Sequence, residues 1–419
     1  MARGPGAGGS GRPRVRFIPR FPTPPAEVCP VLRTRIRISL LVLTAASLTA
    51  CSAATADDAK PPATASPDTP AKVTVAPPAA GRPMTVTASG GTLARVKVVD
   101  GDGGVLAGRT ASGGGTWTSD RKAAPGTSYT VEVTARSAGG KETTSRSTHA
   151  IPEADTVNKL TLAPGKNTTV GIAQPLSIVF DRPVKNKADV ERQLKVTTSD
   201  STEGSWGWLT DYSGKDRVDW RPKEYWKPGT KVTLEATLDG TDSGGSGGWF
   251  VRDYRTGFTV SDQAQVVKVD LDTKKLTVQR DGRTVRTIPV SGGTPGGDKR
   301  SWRGTAVLMA KEGTINMNSE TVGLGDAYDK MVDYSMRLTW SGMYAHAAPW
   351  NAAYFGRANK SSGCIGMSTE QARSFYDLVR PGDPFEIKGE DTKGTVAEGN
   401  GYGAWNVSWP AWKAKSALH

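Results

Sequence analysis

The chain has 419 residues, 54 Lys and Arg against 41 Asp and Glu, and a formal net charge of +13. Only three cysteines and three histidines are present, so a structural zinc site, which needs several such ligands, is not expected. The basic residues form no block interleaved with aromatics, which argues against nucleic-acid binding.

Residues 1–51 do not read as part of a fold. Arg33, Arg35 and Arg37 precede an apolar run from Ile38 to about Leu48, too short to span a bilayer and suited to a signal-peptide core. The run ends in Leu48-Thr49-Ala50-Cys51, which resembles a bacterial lipobox; an ordinary secretory signal cut nearby is the alternative. The Arg- and Pro-rich stretch from Met1 to Pro30 is unusual ahead of a signal, and a translation start near Val31 would account for it. Removing residues 1–51, with eight Arg and one Glu, takes the formal charge from +13 to +6. Cys29 would leave with the leader and Cys51 would carry the lipid. Cys364 is then the only free thiol, and no intramolecular disulfide is possible.

Residues 52–71 are an Ala/Pro/Thr/Asp tether expected to be disordered, with a reach of roughly 25 Å. From 72 to 153, short runs such as "PMTVTASGG" and "SYTVEVTARSAGG" alternate apolar and polar residues between Gly/Asp turns. A second block, 154–262, has the same character, with "LSIVFDRPV" and "DRVDWRPKEYWKPGTKVTLEATL". The fold class is mainly β: two immunoglobulin-like sandwiches, reading as spacers, ahead of a β-rich third block. His149 should be a surface residue near their junction.

The third block, 263–390, opens with a strand and a hairpin around Asp281-Gly282. In "LTWSGMYAHAA", Tyr344 and His346 share one strand face and Met343 and Ala345 the other. Ser368 and Gln371 form a capping box for a helix with Ala372, Phe375, Tyr376 and Val379 at helical spacing, stopped by Pro381-Gly382. That helix begins a few residues after Cys364, so its positive end should favour the thiolate. The last segment, 391–419, carries Trp405, Trp409 and Trp412; these either stack on sugar rings or, as expected here because their spacing of four and three puts them on one face if the tail is helical, pack the tail onto the third block.

A thiol needs a neighbouring base to attack a carbonyl. His149 lies in a spacer and His419 is the last residue, which leaves His346, eighteen positions before Cys364. Ser361, Ser362 and Gly363 make a poor core and a good exposed turn. A Cys364/His346 dyad is the reading these residues favour over an inert buried cysteine, with the N–H groups of Gly363 and Cys364 converging on a developing oxyanion.

His346, seventeen residues, then Ser361-Ser362-Gly363-Cys364 resembles the signature of the L,D-transpeptidase catalytic domain, usually a histidine followed by Ser/Thr-His-Gly-Cys. "MYAHAAPW", "DWRPKEYWKPGTKVTL" and "GYGAWNVSWPAW" are similar to segments of its actinobacterial lipoprotein type. The resemblance implies an enzyme without cofactor or metal. It would act on peptidoglycan tetrapeptide stems, donor and acceptor, and form 3→3 cross-links through a Cys364 thioester. His346 would be base and acid, oriented by the backbone carbonyl of Ala347. Tyr328 would face substrate from a lid, Ser341 and Gly342 would contact it along a strand, and Met317 would line the same pocket with Ser361 and Ser362. Carbapenem-type inhibitors are implied as ligands, and the implied location is extracytoplasmic, anchored by lipid at Cys51 and facing the cell wall. Two positions depart from the family pattern: Ser362 replaces a second histidine, and Gly366 replaces a substrate-contacting asparagine. A cysteine hydrolase on the same dyad and a non-catalytic envelope-binding lipoprotein are the alternative readings.

Overall fold

The structure is a computed structural model that describes residues 69–326 and 328–418. The expected leader, the lipidation at Cys51, nearly all of the tether and His419 lie outside the described residues. No described helix is long and apolar enough to cross a membrane.

Three pairs of β-sheets follow in chain order, each around its own core. In the first, a four-stranded sheet containing Pro83–Ser89 and Thr116–Lys122 shares a core with the three strands Gly91–Val99, Ser128–Ser137 and Glu142–Ala150. The alternation in "SYTVEVTARS" explains this: Tyr129, Val131, Val133 and Ala135 are all buried, and the residues between them are not. His149, half-buried on the last of these strands, bonds only locally, to Ser147.

The second pair joins the sheet of Leu160–Ala163, Leu176–Phe180, Gly204–Thr210 and Asp216–Pro222 to the sheet of Thr169–Val170, Leu194–Thr198, Lys231–Ala236 and Tyr254–Val260. Its core is aromatic, with Trp206, Trp208, Trp220, Trp226, Phe180 and Phe250.

The third pair carries the site. Arg283–Pro289, Lys275–Arg280, Gln265–Asp270, Pro384–Lys388 and Gly304–Val307 form one sheet in that order. Ala310–Asn318, Asp329–Arg337, Tyr344–Ala347 and Ile365–Met367 form the other. The Asp281-Gly282 hairpin has positive φ at both residues (50° and 77°), the backbone a tight two-residue turn requires. Helix Thr369–Leu378 starts where Ser368 caps the Gln371 N–H at 3.2 Å, and it buries Ala372 and Phe375 in the shared core.

The tail corrects an expectation. Residues up to Asn406 do lie on the catalytic sheets: Asn406 accepts from Thr305 N–H and donates to its carbonyl, and Asn400 binds Ser341. From Trp405 onward the tail also reaches the second sandwich. Trp405 donates to the Ala173 carbonyl at 2.8 Å, Trp412 to the Ser205 carbonyl at 3.0 Å, and the Lys415 carbonyl accepts from Trp208 N–H. Nor do the three tryptophans share one helix, since Gly403–Asn406 and Trp409–Lys413 are separate turns. They converge instead on the Arg221 guanidinium, which lies 4.9, 5.5 and 5.0 Å from the rings of Trp405, Trp409 and Trp412. Aromatic faces attract a cation more strongly when it is desolvated, and Arg221 is buried.

Candidate active site

The strands Tyr344–Ala347 and Ile365–Met367 run parallel, with Ala345 opposite Ile365 and His346 opposite Gly366. Side chains alternate along each. Met343, Ala345, Ala347, Ile365 and Met367 enter the core, while His346 and Cys364 fall on the other face and line one cleft. The same register sets Cys364 beside Tyr344. The thiol reaches the Gly342 carbonyl at 3.6 Å, and the Tyr344 N–H approaches the sulfur.

The His346 ring is fixed. Its Nδ1 lies 2.7 Å from the Ala347 carbonyl oxygen, which can only accept, so Nδ1 carries the proton and Nε2 offers a lone pair. Its ring stacks on Trp350 at 6.0 Å and 30°. A neutral imidazole in this tautomer is a general base at Nε2.

Cys364 is buried rather than held in an exposed turn, and this reverses the electrostatics expected from the sequence. Burial pushes the thiol up to about 11, which the Tyr344 N–H only partly offsets. Burial likewise pulls His346 down to about 4; the Ala347 carbonyl opposes that drop and the Lys330 charge adds to it. The resting pair is a neutral thiol and a neutral imidazole. The helix cannot override this. Ile365–Met367 is an extended strand, so it carries the helix start about 10 Å away, and the dipole's influence fades within the first turn.

The cleft brings together Met317, Tyr328, Lys330, His346, Trp350, Asn351, Lys360, Ser361, Ser362 and Cys364, with Val332 behind them. Tyr328 and Ser362 also border an adjoining depression lined by Ser341, Gly342 and Gly363. Tyr328 stands at the base of the loop between Ala310–Asn318 and Asp329–Arg337. Buried Ser319 pins it there, its Oγ accepting from Tyr328 N–H and its own N–H donating to the Tyr328 carbonyl. Burial and the nearby sulfur push the Tyr328 phenol up to about 12, which keeps it a neutral donor.

Four expected residues stand differently from their assigned roles. Ser341 Oγ already accepts from Trp302 Nε1 and Asn400 Nδ2 and bonds Thr339, and its N–H donates to Asn400 Oδ1, so both its hydroxyl and its N–H are committed within the protein. Gly342 offers its carbonyl to the thiol. The Gly363 N–H, expected in an oxyanion hole, donates to Ser361 Oγ at 3.2 Å. Gly366 lines neither opening: a Cβ there would lie 2.9 Å from Ala348 Cβ, and its backbone bonds Ser291 in both directions at 2.9 Å.

That last contact belongs to a set that sequence reasoning missed. The segment 291–301 holds the cysteine loop from below. Ser301 Oγ donates to the Gly363 carbonyl at 2.8 Å and accepts from Gly293 N–H; Thr294 N–H and Oγ1 both donate to the Ser361 carbonyl. The pair Gly292-Gly293 was the available signal. A Cβ on Gly293 would lie 2.2 Å from the Lys299 carbonyl oxygen, so only glycine permits this approach.

A neutral thiol and a fixed imidazole base lining one cleft with a tyrosine, on a β-domain that follows immunoglobulin-like sheets, define a cysteine acyl-transfer enzyme. Comparisons with known proteins narrow the class. The family model for the L,D-transpeptidase catalytic domain matches residues 264–387, and that for a bacterial Ig domain matches residues 74–242, across both sandwiches. L,D-transpeptidase 2 of Mycobacterium tuberculosis is 32% identical over 343 residues, covering 80% of this chain and 81% of that protein. L,D-transpeptidase 5 of the same organism is 32% identical, covering 80% and 73%. A solved LD transpeptidase in complex with imipenem is 31% identical over 56% of this chain and 100% of its own, with a TM-score of 0.47. The chain belongs to the L,D-transpeptidase family.

Proposed function

We propose that the protein forms 3→3 cross-links between peptidoglycan stems. The observation that carries this is the His346 tautomer: Nδ1 tied to the Ala347 carbonyl, Nε2 free, in the cleft that holds Cys364. As Cys364 Sγ attacks the diaminopimelate carbonyl of the bond to D-alanine in a donor stem, its proton moves to Nε2. The imidazolium then protonates the departing D-alanine amine, leaving a thioester. The side-chain amine of a second stem attacks that thioester, gives its proton to Nε2 and regenerates the thiol. Starting from a neutral pair, the thiolate forms only as the attack proceeds, so proton transfer and bond formation are coupled. The oxyanion would be held by the N–H groups of Cys364 and Gly363, the latter released from Ser361 Oγ.

Intact-protein mass spectrometry after incubation with a carbapenem tests the acylation step. One adduct per molecule at Cys364 is expected, absent in Cys364→Ala and slowed about 10²–10⁴-fold in His346→Ala. No adduct on folded protein would remove the catalytic reading in favour of an envelope-binding role. Muropeptide digests test the transfer step, since cross-linked dimers require an amine acceptor and tripeptides alone would mean hydrolysis. We further propose an extracytoplasmic protein tethered by lipid at Cys51, on the leader sequence alone; an unmodified peptide spanning Ala50 and Cys51 in membrane-extracted protein would refute it.

A further inference from the structure

Two lysines of the cleft have no role in the acyl-transfer scheme. Lys330 projects from the strand Asp329–Arg337, and Lys360 leads into the cysteine loop; both line the cleft with His346 and Cys364. No Asp or Glu lines it. Among the described residues, neither ammonium is paired with a carboxylate. Lys330 is held only by the Trp350 ring, its Nζ 4.3 Å from the centroid, and that ring in turn stacks on His346. An ammonium on an aromatic face keeps its N–H donors available to an anion. The Lys330 charge disfavours the protonated form of the buried His346 imidazole, and no carboxylate lining the cleft offsets it. An arrangement that opposes the mechanism at rest makes sense when the substrate brings the missing negative charge.

Resting on the transpeptidase reading above, we propose that Lys330 and Lys360 make this cleft selective for donor stems whose side carboxyl groups are free acids rather than amides. A carboxylate pairs with the ammonium and offsets its repulsion of the imidazolium that forms during attack. An amide at the same place does neither, and it leaves the ammonium charges unmatched. Selection by charge complementarity of this kind acts on binding and on the chemical step together.

The test uses the folded chain and synthetic tetrapeptide donors in three forms: free acid, amidated at the glutamyl α-carboxyl, and amidated at the side-chain carboxyl of the diaminopimelate. D-alanine release gives kcat/KM for each. The wild type should favour the free acid by about 10- to 100-fold over at least one amide, the usual worth of one charge-assisted hydrogen bond. The amide that loses more identifies which carboxylate the lysines read. In Lys330→Met/Lys360→Met that ratio should fall to within about twofold of unity, whatever the absolute rates, whereas Lys330→Arg should keep it. Equal rates on acid and amides in the wild type, or a ratio unchanged in the double variant, would overturn the inference and leave the transpeptidase reading standing. Release from none of the donors, with no carbapenem adduct at Cys364, would overturn both.

Discussion

Restoring the family's asparagine at position 366 should damage this enzyme. The substitution Gly366→Asn puts a Cβ 2.9 Å from Ala348 Cβ, with the Ser291 carbonyl oxygen at 3.7 Å and Phe355 at 3.9 Å. Carbon atoms in contact prefer about 3.5–4.0 Å, so either Gly366 or Ala348 must move by roughly 0.6–1 Å before the rest of the side chain is placed. Gly366 cannot retreat, because both its N–H and its carbonyl are bonded to Ser291 at 2.9 Å. Ala348 directly follows the strand that carries His346, and His346 is Gly366's own partner in the parallel ladder. The displacement therefore reaches the base. Overpacking a buried site costs about 1–3 kcal/mol, and misplacing a catalytic group by about 1 Å can cost 10²-fold in rate. The assay pairs the thermal midpoint with the rate of carbapenem adduct formation. Gly366→Asn should lower both, and Gly366→Asn with Ala348→Gly should recover part of each by removing the colliding methyl. A Gly366→Asn protein as stable as wild type and acylated faster would refute the steric argument and mean the position is an open subsite.

The pH dependence of thiol reactivity follows from the direction in which burial moves Cys364. A neutral alkylating agent should react ever faster as pH rises toward about 11, with no plateau near 8.5; a plateau at or below neutrality would mean a preformed thiolate. Burial lowers His346 in the folded state to about 4, below its ordinary 6.5, so the unfolded chain binds the extra proton between those values. The contribution is full above 6.5 and lost as pH falls through 4, and acid unfolding monitored by tryptophan fluorescence should begin at lower pH in His346→Gln than in wild type. Ser301→Ala orphans the Gly363 carbonyl and the Gly293 N–H at once, which should cost about 1–3 kcal/mol and slow acylation, while Ser301→Thr retains part of both. Trp412→Ala removes a fully buried indole between tail and sandwich, with an expected loss of about 3–5 kcal/mol read from the thermal midpoint of the second sandwich.

The parts legible in the sequence were those with local chemistry. Ser368 with Gln371 announces a helix start, Asp281-Gly282 a tight hairpin, and strand alternation puts His346 on the face opposite Ala345. What escaped depends on distant residues meeting. Ile365–Met367 reads as a short loop and becomes a strand only because Tyr344–Ala347 lies beside it, and that pairing is what buries Cys364 and separates it from the helix end. Ser301 and Thr294 lie more than sixty positions from the loop they hold. Lys330 and Lys360 look like ordinary surface charges until two different elements bring them to one cleft. The tryptophan spacing suggested a single face, but the partner proved to be Arg221 in another sandwich, which no periodicity within the tail could name.

The embrace of Arg221 by Trp405, Trp409 and Trp412 sets an order of completion during synthesis. The strands Gly204–Thr210 and Asp216–Pro222 emerge about two hundred residues before the indoles that cover them. Until residues 405–417 leave the ribosome, Arg221 has no aromatic cover, Gly207 has no Trp412 against it, and the buried Glu191 has no Ser416 or Ala417 donor. The middle of the protein is built early and finished last. A chain interrupted between Trp405 and Ala417 would carry an intact Cys364 and His346 on a scaffold whose second sandwich is still open, so adding this short segment is itself a folding step.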